Sequence, residues 1–317
     1  MKRVFVAFVA AMFAALASGA AAQVPPDVAA RIRAIGPVID VPALLQLYGP
    51  LRATMSKDGV QRDADLAYGP DAKNVLDVYT PTARPAGGAP VLVFVPGGAF
   101  MRSEKGGYAN VGYYFAQHGI VTMVMSYRVA PANTWPAGAR DVAAAVAFAQ
   151  HNAARYGGDP QRIFLMAHSA GAAHAAAFAF TRSLQPSVGT GLAGVILVSG
   201  VYSPALDAQA AADFGGDPVL GPDRAYFGTD PTRYPDESTL LHLDGPRLPV
   251  LLVDAELDPL MMQVQTSALF AALCRRDGAC PQLRWLAAHD HLSEAFAIGT
   301  GDESLSKPVL DFIVAAR

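Results

Sequence analysis

The sequence predicts an α/β domain built on a mostly parallel sheet with helices on both faces. Three observations predict it. Short, largely apolar runs of β type recur between residues 75 and 287, helix-favouring segments separate several of them, and 52% of the 317 residues are hydrophobic against 16% charged. Strands that are apolar on both faces belong to sheets covered on both sides. A chain of this length can bury roughly three quarters of its unfolded surface, enough for one large core. No internal repeat is visible, and alanine richness is the one compositional bias.

Residues 1–22 read as a separate segment. Lys2 and Arg3 form a positive start, Val4–Leu16 an apolar stretch, and Ala20-Ala21-Ala22 a small-residue cleavage site before Gln23. This is the pattern of a signal peptide. A retained anchor is the competing reading, because Val4–Ala22 carries no charge and nearly reaches the length that spans a bilayer. The alanine content and the cleavable end favour removal, so export to the periplasm or medium is expected, with no stable membrane anchor afterwards. No cysteine lies near the cleavage point, so a lipid anchor is not expected. With Lys2 and Arg3 removed from the 24 basic residues, 22 face 27 acidic ones, a net charge of −5. Such a balance gives no electrostatic footprint for nucleic acid or an anionic membrane.

Residues 24–66 carry helical patterning, with candidates at Val28–Ile35 and Pro42–Tyr48, and read as a lead-in packed over the core. The apolar runs then follow at Val75–Tyr79, Val91–Val95, Val121–Ser126, Ile163–Ala167, Gly194–Ser199, Val250–Asp254 and Leu283–Ala287. The connection Pro81–Pro90 is too short for a crossover helix, so the first two runs are expected to pair antiparallel. A mixed sheet of about seven or eight strands results. The clearest helix is Ala139–Arg155, with Asp141 in its first turn, where it can favour the dipole. Residues 201–247 are rich in Asp, Gly and Pro. Long irregular connections of this kind usually serve as lids or binding loops, and Tyr202, Phe214, Tyr226 and Phe227 could wall a pocket or pack the excursion onto the core. Near the end, Phe270–Cys274 reads as a last helical turn, followed by Arg275-Arg276 and a Gly278 stop. An even cysteine count in an exported chain favours a Cys274–Cys280 bridge of structural value.

The chemistry centres on Ile163–Ala167, His168, Ser169 and the alanine-rich stretch that follows. A serine on a sharp strand-to-helix turn needs small residues two before and two after it, here Ala167 and Gly171. Taken alone, small-x-Ser-x-Gly is also an ordinary βα loop. A serine hydroxyl needs a base, and the base needs an orienting group. In sheet-borne hydrolases with this elbow, the acid and then the histidine follow the serine. Of seven histidines, His289 and His291 follow the last central strand. His291 fits the loop entering a helix, and His289 reads as a structural neighbour. His118, His151 and His242 suit surface or structural roles, while His168 and His174 lie on the elbow, out of order. Asp258, followed by the helix-starting Pro259, is the expected acid, with Asp254 as the alternative. Negative charge on a reacting carbonyl oxygen calls for N–H donors. Gly97 and Gly98, after the run ending at Val95, and Ala170, after the serine, are the candidates.

These segments resemble the α/β-hydrolase carboxylesterases, in particular the branch of hormone-sensitive-lipase-type and bacterial arylformamidase-like esterases. The resemblance covers most of residues 66–317. It rests on Tyr68-Gly69…Leu76-Asp77-Val78-Tyr79, Ser126-Tyr127-Arg128-Val129-Ala130-Pro131, Asn152–Pro160 before the elbow strand, Ala255-Glu256-Leu257-Asp258-Pro259 and Asp290-His291-Leu292-Ser293. Two positions depart from the family. Pro96 stands where a histidine usually precedes the glycines, removing one N–H and any side-chain bond that held the loop. Ala167 replaces the first glycine of the elbow and is small enough to serve.

The resemblance implies an α/β-hydrolase fold with residues 201–247 as a short cap-like insertion. It also implies a carboxylesterase in which His291 activates Ser169, Asp258 orients His291, and Gly97, Gly98 and Ala170 bind the oxyanion. A small-molecule ester is the expected substrate, and no metal or organic cofactor is implied. Two readings compete: an amidase of arylformamidase type or a peptidase with the same triad, and a hydrolase fold kept as a non-catalytic binding module.

Overall fold

The computed structural model describes residues 24–83, 87–214 and 221–316, with side chains for all of these but 210–214 and 221–222. The segment read as a signal peptide, residues 1–22, lies outside the described residues. Eight strands form one sheet: β1 (Val60–Ala67), β2 (Val75–Pro81), β3 (Ala89–Val95), β4 (Val121–Met125), β5 (Gly158–His168), β6 (Leu192–Val198), β7 (Val250–Leu257) and β8 (Gln282–Asp290). Their spatial order is β1-β2-β4-β3-β5-β6-β7-β8. From β4 to β8 all neighbours are parallel, and β1 and β2 are the antiparallel additions. This is the α/β-hydrolase fold.

Alternation along the central strands assigns each side chain to a face. In β5, Phe164 and Met166 join one core, while Ile163, Leu165 and Ala167 join the other, all of them buried. The first core is closed by α1 (Pro26–Ile35), α2 (Val41–Ala53), α3 (Ala109–Gln117) and a C-terminal helix at Ser306–Ala315. The opposite core is closed by α4 (Ala137–Asn152), α5 (Ala170–Phe180) and a long helix at Leu260–Asp277. Every residue of α5 is buried. A helix that is apolar all round belongs in a core, and its alanines let it lie close beneath the sheet's end.

Three expectations need correction. First, β2 and β3 are not paired: β4 lies between them, antiparallel to β2 and parallel to β3. The short connection limits what can fold within it, but it does not force its two strands to be neighbours. Second, residues 60–67 form a strand. Its sequence, with Arg62, Asp63 and Asp65, hides the pattern because β1 is a sheet edge and largely exposed; charge on an edge strand deters pairing with other chains. Third, Asp141 lies beyond the first turn of α4 and accepts hydrogen bonds from the Arg128 backbone and guanidinium, at 2.7–3.1 Å. Its role is an ion pair, in place of the dipole contact expected.

Between β6 and β7 the chain forms helices at Pro204–Phe214 and Gly221–Phe227 and shorter turns. Tyr226 stacks on Phe100 at 4.7 Å, and Phe227 meets Phe100 edge-on at 5.3 Å. Tyr202, Tyr226 and Phe227 are buried in the core, where they also line a small cavity beside His174. The side chain of Phe214 lies outside the described residues. Cys274 and Cys280 are joined by a disulfide that spans the end of the long helix, where Gly278 adopts the left-handed cap at φ 70°.

Candidate active site

Ser169 sits at the tip of the β5–α5 turn with φ 55° and ψ −128°, a strained conformation for a residue with a Cβ. Its surroundings explain the small neighbours. A Cβ on Gly171 would lie 2.4 Å from the Val95 carbonyl oxygen and 2.5 Å from that of Pro96. The first turn of α5 therefore packs directly on the loop that follows β3. A Cβ on Gly97 would lie 2.9 Å from both Ser169 Cβ and His168 Nδ1, so the same loop approaches the serine from the other side.

The structure brings Ser169, His291 and Asp258 together from the ends of three parallel strands. His291 Nε2 lies 2.8 Å from Ser169 Oγ, and His291 Nδ1 lies 2.7 Å from Asp258 Oδ1. The other oxygen of Asp258 accepts from Ser199 Oγ at 2.6 Å and from the Ala255 N–H at 2.8 Å. Burial opposes the ionisation of Asp258. The hydrogen bond and charge of His291, with hydrogen bonds from Asp254 and Ser199, outweigh it and hold this carboxyl well below the usual range. Asp254, the alternative acid, lies inside β7. Burial, then the hydrogen bond and charge of Asp258, push it up to about 9, so it is a neutral acid supporting Asp258. The shape of the pair separates their roles: only Asp258 reaches His291.

His168, set aside in the sequence reading, holds the site from behind. Its Nε2 lies 2.7 Å from the His291 carbonyl oxygen, and its Nδ1 lies 3.2 Å from the Tyr108 hydroxyl. Burial, with the charge of His291 beside it, pushes His168 down to about 3. A neutral ring donates once, and a carbonyl only accepts, so Nε2 carries the proton and Tyr108 donates to Nδ1. Tyr108 and His168 thus form a buried polar chain that backs the histidine loop. Glu294, fully buried, lies 3.3 Å from His168 Nε2. Burial, then the charge of Asp258, pushes its carboxyl well above the usual range, which makes it a neutral neighbour. The sequence holds signals for both residues, in the histidine adjoining Ser169 and in the lone acid of the apolar turn at 292–296. Neither signal is meaningful without the fold.

The loop at Pro96 has a buried anchor. Tyr127 donates its hydroxyl to the Pro96 carbonyl at 3.0 Å, fixing the loop through the backbone. His289 is buried beside Asp302, at 3.3 Å, and Ser293, at 3.1 Å, away from Ser169. His174 is buried against Tyr127 and Phe100. His118, His151 and His242 each contact a backbone carbonyl. His168, His291 and Glu294 lie close enough to hold a cation, but His291 is already committed to Ser169 and Asp258.

A cavity of about 620 Å³ opens in front of Ser169. Gly97, Gly98, Tyr108 and His291 border its floor, and Ile39, Val41 and Leu45, on and just before α2, form one wall. The lead-in helices therefore help to shape the space at the serine.

Fold and site together define an α/β-hydrolase with a Ser–His–Asp arrangement. The chain belongs to the BD-FAE family, whose model matches residues 76–273. Among curated proteins it is 32% identical to Esterase LipQ of Mycobacterium tuberculosis (strain ATCC 25618 / H37Rv), over 66% of this chain and 52% of that protein. It is 39% identical to the probable isoprenylcysteine alpha-carbonyl methylesterase ICMEL1 of Oryza sativa subsp. japonica, over 38% of this chain and 28% of that one. The chain spans between about a quarter and a half of the length of these relatives. Similar solved structures include esterase B from Lactobacillus rhamnosis, at TM-score 0.71 and 19% identity over 92% of this chain and 95% of that one. A bacterial heroin esterase aligns at TM-score 0.70 and 23% identity, over 94% and 98%. At these identities the likeness concerns the fold.

Proposed function

We propose that this protein hydrolyses carboxylic esters through an acyl-enzyme on Ser169. The observation that carries the reading is the unbroken relay from Ser169 through His291 to Asp258, at 2.8 and 2.7 Å, on the floor of an open cavity. His291 Nε2 takes the serine proton as Oγ attacks the ester carbonyl, and Asp258 stabilises the imidazolium that forms. The N–H groups of Gly97, Gly98 and Ala170 are the donors that receive the developing oxyanion. The tetrahedral adduct collapses, His291 passes its proton to the leaving alkoxide, and water activated by the same imidazole releases the acid. Esterases among the relatives support this choice of bond.

Ser169→Ala should lower turnover of 4-nitrophenyl butyrate at least ~10⁴-fold, in line with removal of a serine nucleophile elsewhere. Amide hydrolysis uses the same relay, and a matched ester and anilide separate the two. Esterase chemistry requires the ester to be cleaved faster by orders of magnitude. Comparable rates would instead identify an amidase. Export to the periplasm or medium is part of the proposal, supported by the leader pattern and by a disulfide that suits an oxidising compartment.

A further inference from the structure

The cavity before Ser169 is largely apolar, yet two guanidinium groups, Arg52 and Arg102, border it. Arg52 is half-buried and donates Nη2 to the Gly107 carbonyl and to Asn110 Oδ1, the latter at 3.0 Å. Its guanidinium carbon lies 5.0 Å from the centre of the Phe296 ring, which also faces the cavity. These contacts fix the group in place but supply no negative charge. Among the described residues neither arginine has a carboxylate partner. The one acid on the cavity's border, Glu104, is bound to Lys73 at 2.8 Å. Burial already pulls the Arg52 guanidinium below its ordinary value.

A cation held in partly desolvated surroundings is stabilised by an anion that arrives with the ligand. The Nε and Nη1 N–H groups of Arg52 make no bond to described protein atoms, so they can donate to one. Large apolar side chains, Ile39, Leu45 and Met101, stand 40–48% exposed at the same cavity. The cavity thus offers a greasy path and a fixed positive charge together.

We propose that the preferred substrates are esters carrying a carboxylate on an otherwise apolar skeleton, with Arg52 receiving the carboxylate and Arg102 adding attraction from the rim. The proposal rests on the ester-hydrolase reading and names its substrate class. A carboxylate in the acyl part and one in the alcohol part share this chemistry.

The test compares kcat/KM at low salt for matched pairs. 4-Nitrophenyl monoesters of adipic and suberic acid are set against the hexanoate and octanoate esters. Acetylated 4-hydroxybenzoate is set against phenyl acetate. A tenfold or larger preference for the anionic member of one set is expected, and the set that shows it locates the carboxylate. That preference should fall towards unity in Arg52→Met, survive in part in Arg52→Lys, and weaken in Arg102→Gln. Should the Arg52 variants fail to fold, octanoate must still inhibit the wild type at least tenfold better than octanamide. A wild-type preference for neutral esters, or an anion preference unmoved by loss of both arginines, overturns the proposal. Absence of turnover on every ester by folded protein would instead overturn the underlying hydrolase reading.

Discussion

At Ser169 the backbone is held at φ 55°, which costs of order 1–3 kcal/mol and is sustained by the packing around it. Gly171 against the Val95 and Pro96 carbonyls, and Gly97 against Ser169 itself, leave that turn no alternative path. Two residues hold the loops that meet there. Tyr127→Phe removes the donor to the Pro96 carbonyl and is expected to reduce kcat about tenfold with little change in KM, since the loss concerns placement of the oxyanion loop. Steady-state kinetics on a neutral ester check the split; a rise in KM alone would assign Tyr127 to substrate binding. His168→Ala breaks the tie between the Tyr108 hydroxyl and the His291 carbonyl, and a kcat lower by about 10–100-fold is expected. Unchanged kcat would show that the histidine loop keeps its place unaided. Ser169, Asp258 and His291 were legible because their spacing, order and neighbouring Pro and Gly mark strand ends. His168, Tyr108 and Ser199 were not, because their value lies in contacts across loops far apart in sequence.

Among the elements, the central strands were readable as apolar runs since both faces of the sheet are buried. The edge strand β1 was not, because exposure removes the apolar alternation that would mark it. The tyrosines and phenylalanine of the 201–247 segment left two readings open for a related reason: aromatic side chains wall pockets and fill cores alike, and composition does not say which. The loop closed by Cys274 and Cys280 is short, with a separation of 6 residues, so loop-closure entropy alone gives the disulfide about 2 kcal/mol of stability. Replacing both cysteines with serine should lower the urea midpoint by the corresponding amount and leave kcat/KM unchanged, because the bridge lies at the far end of the long helix from Asp258. A loss of activity in the folded variant would show that this end communicates with the acid loop.

Across the whole molecule, protonation links the site to stability. Burial pushes His168 and His174 down to about 3, whereas an unfolded histidine titrates near 6.5. Between these values the unfolded chain binds more protons, so stability is complete above pH ~6.5 and falls as the pH drops, by up to about 1.4 kcal/mol per unit for each ring. Asp254 has the opposite sign. Its carboxyl is raised to about 9, so the folded chain keeps an extra proton above pH ~4, and stability falls as the pH rises towards 9. Burial raises Glu294, Asp207 and Asp223 in the same sense as Asp254, so these acids oppose the histidines between pH 4 and 7, and one ring's contribution to the pH slope of urea unfolding is read as the difference between wild type and variant. His174→Phe, which keeps the packing against Tyr127 and Phe100, should remove its share of that slope. An identical slope in the variant would mean that His174 titrates normally in the folded protein.

The central claim is that Ser169 carries the acyl group. Wild-type protein is mixed with excess 4-nitrophenyl butyrate, quenched in acid within the first turnovers, digested and mapped by mass spectrometry. A butyryl group on the peptide containing Ser169, absent from Ser169→Ala treated in the same way, is the expected result. A butyryl group on another residue, or release of 4-nitrophenol by Ser169→Ala at the wild-type rate, would contradict it.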